Sequence, residues 1–152
     1  MGEMVEDLRS VLLQAGWEPG RCVDVARWRM PFAQAGLSMH PSAEVFLSEF
    51  GGLGFPYGGP GISRARESVQ LDPLLALGEE DLFLEWGQLV GRHIFPLGEL
   101  DDGRYFVGID ESSSIYLVAD WLGHFGEGMH GLESLILGVA PEVVYDSYPT
   151  GR

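Results

Sequence analysis

Over the first fifty residues, apolar positions recur at helical spacing. Met4, Leu8, Val11, Leu12 and Ala15 share one face, Glu6 and Asp7 sit in the first turns, and Gly16 stands where a glycine cap ends a helix. Trp17-Glu18-Pro19-Gly20-Arg21 breaks the pattern, and Asp24 is placed to cap a second helix that turns Val25, Trp28, Phe32 and Ala35 inward. Pro31 lies inside that helix and removes a backbone donor, which predicts a kink or a restart there. A third helix follows, with Pro41 in its first turn, Ala43, Phe46, Leu47 and Phe50 on one face, and Gly51 at its end.

Beyond Gly51 the period changes. Residues 51–61 read as a loop, and Ala65, Val69 and Leu71 alternate with polar residues as an exposed or edge strand flanked by Arg64 and Arg66. Glu79, Glu80 and Asp81 open a helix whose stripe is Leu82, Phe83, Trp86, Leu89 and Val90 and which closes at Arg92. Ile94–Leu100 and Arg104–Ile109 are two strand-like runs joined by Asp101-Asp102-Gly103, a turn sequence that tolerates positive φ, so they pair as a hairpin. Ile115–Ala119 after the turn Glu111-Ser112-Ser113-Ser114, and a short run near Trp121–Phe125, extend the hairpin into a meander. Met129, Leu132, Leu135 and Ile136 form a last helix ended by Gly138. The expectation is a single α+β domain over residues 1–138, with helices covering one face of a mostly antiparallel sheet and the other face open to a partner; residues 139–152 read as a loosely docked or mobile tail.

Composition sharpens this picture through charge. Hydrophobic residues make up 45% of 152, including four Trp, five Tyr and eight Phe, which supplies a core without disulfides or metal. Against 23 acidic residues stand nine basic ones, all Arg, for a formal net charge of −14. Such a balance disfavours direct contact with nucleic-acid phosphates and favours a basic partner. The acidic start Met1-Gly2-Glu3-Met4-Val5-Glu6-Asp7 is unlike a secretory signal, and no apolar run reaches the length of a membrane span, so a cytoplasmic protein is expected. The lone cysteine, Cys22, is expected as a small buried hydrophobe.

Catalytic chemistry finds little support. With no Lys there is no P-loop and no Schiff base, and the glycine-rich run Gly51–Gly61 follows a helix and is broken by Pro56 and Pro60, as in a structural loop. His40, His93, His124 and His130 have no zinc spacing; His124 and His130, with Glu127 between them, read as exposed polar residues. Asp101-Asp102 and Asp110-Glu111 fall at hairpin turns, where Asp is a turn former, and lack calcium-loop spacing. No GxSxG elbow is present. The chain therefore reads as a binding protein with no cofactor, no metal and no catalytic residue.

Three blocks, taken together, resemble the SUKH superfamily and within it the third subgroup of SUKH immunity proteins of bacterial toxin systems. They are Ala15-Gly16-Trp17-Glu18-Pro19-Gly20-Arg21 with Trp28 after it, Ala43 to Leu53 with its Phe50-Gly51-Gly52-Leu53, and Phe95-Pro96-Leu97-Gly98-Glu99 leading to Ile109-Asp110-Glu111. The resemblance implies a SUKH-like α+β fold and a role in neutralising a cognate toxin, often a nuclease or deaminase, by occluding its active site. A basic toxin fits the charge, and the expected contact residues are Tyr57, Glu99, Asp101, Asp102, Asp110, Glu111, Asp120 and Trp121, on a monomer or weak homodimer. Two other readings stay open: a SUKH-type regulatory or scaffold protein with an endogenous partner, and an acid/base or metal enzyme using Asp110, Glu111 and His124.

Overall fold

Three short helices occupy the first third of the chain: α1 (Glu6–Gln14), α2 (Ala26–Gln34) and α3 (Pro41–Phe50). The computed structural model describes residues 6–56 and 58–149, so Met4 and Tyr57 lie outside the described residues. After α3 come four two-residue strands, β1 (Gly54–Phe55), β2 (Gly59–Pro60), β3 (Ala65–Arg66) and β4 (Val69–Gln70), then a 3-10 turn at Pro73–Ala76 and helix α4 (Glu80–Val90). The meander follows as β5 (Phe95–Leu100), β6 (Tyr105–Ile109), β7 (Ser114–Val118) and β8 (Leu122–Glu127), and the described chain ends with α5 (Gly128–Leu137) and β9 (Glu142–Tyr145).

The meander strands sit at the centre of a seven-stranded sheet ordered β1-β4-β5-β6-β7-β8-β9, with every described pair antiparallel. Every side chain of β7 is buried, which requires cover on both faces. Gly108 and Phe106 face Phe83 of α4: a Cβ on Gly108 would lie 3.1 Å from the Phe83 ring, and the Phe83 and Phe106 rings are 6.0 Å apart. Ile115, which points the other way along the same ladder, meets Gly131 of α5. The expected open face is thus closed by α4, because the apolar stripe of that helix needs a partner as much as the others do.

Aromatic residues join the layers. Trp28, Phe32, Phe83, Trp86 and Phe95 are buried to within 1% of full, and Phe32 of α2 meets Phe95 of β5 edge-on at 5.3 Å. Each such side chain contributes about 2 kcal/mol or more through burial. The helix α2 runs through Pro31 without a break, leaving the Arg27 carbonyl without the donor that residue 31 would supply. The N-cap is Val25, which makes no side-chain cap bond, and Asp24, expected as the cap, stands one residue before it and accepts from the Ala26 N–H at 2.9 Å. Cys22, expected inside, is exposed. It lies in the extended linker between α1 and α2, where the inward positions of the alternation fall to Val23 and Val25.

The first two sequence blocks meet in space. Trp17 Nε1 donates to the Glu49 carboxylate at 3.1 Å, and the Arg21 guanidinium donates to the carbonyls of Glu49 and Gly51 at 2.6 and 2.9 Å. The Trp28 indole covers Gly51 so closely that a Cβ there would lie 2.5 Å from the ring. In the third block Gly98 adopts φ 151°, and a Cβ would fall 1.8 Å from the Gln70 carbonyl, so only glycine lets β4 pass at that point.

Residues 51–71, expected as a loop and one strand, instead hold β1 to β4. The segment 61–64 also closes the end of α5: the N–H groups of Ile62, Ser63 and Arg64 bond the carbonyls of Leu137 and Gly138, and Arg64 Nη2 bonds that of Leu135 at 2.9 Å. At the far edge, β9 pairs with β8 while Val143 and Val144 stay exposed, and Tyr148 packs edge-on against Trp86 at 4.7 Å.

Candidate partner-binding surface

Antiparallel pairing sorts the expected contact residues between the two ends of β6, which are about 15 Å apart along the strand. One end, the hairpin end, carries Glu99, Asp101, Asp102, Asp120 and Trp121, because Leu100 faces Tyr105 and Phe106 faces Val118. The other, the turn end, carries Asp110 and Glu111.

At the hairpin end Asp101, Asp102 and Gly103 turn the chain with φ of 57°, 53° and 87°, a left-handed run that Asp and Gly accept. Asp102 accepts from the Ser68 hydroxyl at 3.0 Å, and Asp101 lies 3.3 Å from Arg104. Behind them Glu67, 3.0 Å from Arg64, is pushed above the usual carboxylate range by burial and by the neighbouring Asp101. Glu99 is half-buried on β5 and Asp120 is exposed in the β7–β8 turn. Trp121 is half-buried, its ring edge-on to Tyr105 at 6.0 Å. This end of the sheet thus carries several carboxylates and one aromatic pair.

The turn end is organised from inside. Asp110 is 1% exposed, and its carboxylate accepts from the N–H groups of Ser112 and Ser114 at 2.8 and 3.0 Å and from the Tyr116 hydroxyl at 2.8 Å. It holds the β6–β7 turn together and has no surface to offer a partner, in contrast to the expectation for it. Burial, followed by the bond to Asp110, raises the Tyr116 hydroxyl well above its ordinary pKa. His124 reaches this group only through its ring, 5.4 Å from that of Tyr116.

His40, the N-cap of α3, lies against the end of β6 beside this turn. Its Nδ1 accepts from the Ala43 N–H at 3.1 Å, which leaves Nε2 as the donor to the Ile109 carbonyl at 3.0 Å: a neutral ring with both nitrogens in use. Burial lowers its pKa, opposed by the Ile109 carbonyl and helped by His93, whose ring stands 4.9 Å away. Glu111 is exposed. Burial pushes its carboxyl up, but bonds from its own N–H and that of His93 outweigh this and hold it below the usual range.

Beside Glu111 lies a feature the sequence reading missed, an apolar groove of about 370 Å³ lined by Pro41, Val45, Phe46, Phe50, Ile109 and Met129 among others. Val45 is 68% exposed at its rim. One signal was available: Val45 is the single apolar residue of α3 off the Ala43-Phe46-Leu47-Phe50 face.

A family model described as the SUKH-3 immunity protein matches residues 4–138. The chain belongs to the SUKH-3 immunity protein family. No curated protein and no solved structure matches it. The SUKH-3 match contains all three sequence blocks, both ends of the sheet and the groove; β9 lies beyond it. Membership in the SUKH-3 family assigns an immunity function in general. Among the described residues, no group of three His, Cys, Asp or Glu is placed to hold a metal, and no helix is long and apolar enough to cross a membrane.

Proposed function

We propose that this SUKH-3 protein binds a basic toxin, a nuclease or a deaminase, in the cytoplasm and neutralises it by covering its active site, with no catalysis of its own. The family match over residues 4–138 carries the reading. Charge gives it a mechanism. A net charge of −14 steers a cationic partner inward, and the hairpin-end carboxylates Glu99, Asp101, Asp102 and Asp120 concentrate that field around Trp121 and Tyr105. Glu111 extends it to the turn end. A toxin that grips nucleic acid presents the complementary cationic groove, and occupation of that groove by carboxylates excludes the substrate.

Co-expression with a toxin domain, sought among the products of the genes neighbouring this chain's gene, tests the reading. Wild-type protein restores growth of cells that the toxin alone kills. Failure to bind or to protect against that toxin contradicts the immunity role.

A further inference from the structure

The groove at the turn end has an apolar floor and one carboxylate, Glu49, in its lining. Its floor is formed by Phe46, Phe50 and Ile109, with Val45 and Met129 at the sides. Glu49 is the carboxylate that lines it, with its side chain also accepting from the Trp17 indole. Among the described residues, no arginine lines it.

We propose that this groove seats an apolar side chain carried on a basic segment of the toxin; the identity of the occupant rests on the immunity reading. Glu49 in the lining, within a chain of net charge −14, selects the flanking charges of the incoming segment. The net charge of −14 also disfavours a second copy of this chain as occupant, since it brings the same sign to Glu49. The walls are fixed beforehand. Trp17 holds Glu49 at 3.1 Å, and the Gly128 N–H bonds the Ser113 carbonyl at 2.9 Å, tying the β6–β7 turn to the start of α5. A preformed site loses little ordering entropy on binding, and the unbranched thioether of Met129 adapts to the shape of the anchor. Val45, exposed on a helix and free of any structural duty in the core, is the residue whose burial against a partner gains most.

Binding of the toxin domain so found is measured for wild type, V45K and V143K, the last replacing an exposed valine on β9 far from the groove. Both replaced valines are surface residues, and matching melting temperatures show that the variants fold. V45K weakens binding about 30-fold, the scale of an anchor residue, and V143K leaves it unchanged. If V45K binds as tightly as wild type, the groove is not the anchor, while the immunity reading stands. If wild type does not bind, that reading fails, and NMR titration with blocked Arg-Phe-Arg and Glu-Phe-Glu tripeptides decides the groove alone. Shifts at Val45 and Met129 with the basic peptide only retain it as a site for basic apolar segments, and their absence overturns it.

Discussion

The two ends of the central hairpin are both acidic and turn the chain in different ways. At Asp101-Asp102-Gly103 the carboxylates point outward, bonded to Ser68 and Arg104 at the surface. At Asp110-Glu111 one carboxylate is drawn wholly inside and becomes the hub of the turn, and the other remains in solvent beside an apolar groove. Two acidic pairs that look alike in sequence thus do different work. The hairpin end projects charge, which acts at long range and is screened by salt; the turn end offers shape and apolar surface, which act on contact.

The largest expected effect separates the two turns. D110A leaves two N–H groups and a hydroxyl without their acceptor in a buried site and costs about 3 kcal/mol or more, whereas D102A costs about 0.5 kcal/mol or less, read from urea unfolding. Comparable losses would erase the distinction. His40 comes next. H40A removes a helix cap and the donor to Ile109 and costs about 2 kcal/mol. The pH dependence has a fixed sign. A histidine with a lowered folded-state pKa lets the unfolded chain bind the proton first, so its stability is full above the ordinary value of 6.5 and is lost as pH falls below it. His93, Glu111 and Asp110 face the same ring, so the slope below pH 6.5 is compared between wild type and H40A, where it is shallower. The smallest effect lies at the hairpin end. The Glu67 carboxyl, raised by burial and by Asp101, favours the protonated form in the fold, so stability falls as pH rises above 4.5. E67Q, which keeps an acceptor for Arg64, removes that fall and stabilises by about 0.5 kcal/mol at neutral pH. A destabilised E67Q would mean that its ion pair with Arg64 outweighs the repulsion.

The sequence shows the elements well where a run is long enough to have a period. Helix α3 lies between Pro41 and Gly51 as the pattern requires, and the hairpin, the third strand and α5 fall within a residue or two of their expected bounds. Strands β1 to β4 have two residues each, too few for any alternation, and are held by ladder bonds to chain that is distant in sequence. Strand β9 escaped notice because its valines face solvent and only Tyr145 turns inward, its ring 5.8 Å from that of Trp86. Site residues divide the same way. That Asp110 turns inward and Glu111 outward depends on Tyr116 and on a turn whose geometry a string of serines does not announce. The groove draws on α3, β6 and α5, which the sequence separates by some eighty residues, so only Val45 left a trace.

Toxin association, measured by stopped flow across a salt series, tests the division of labour most directly. Wild type associates at a rate that falls steeply as salt rises past about 0.1 M, while the variant E99Q/D101N/D102N/D120N associates about tenfold more slowly at low salt and with little salt dependence. Equal rates with equal salt dependence for the two proteins would contradict the assignment of steering to the hairpin end.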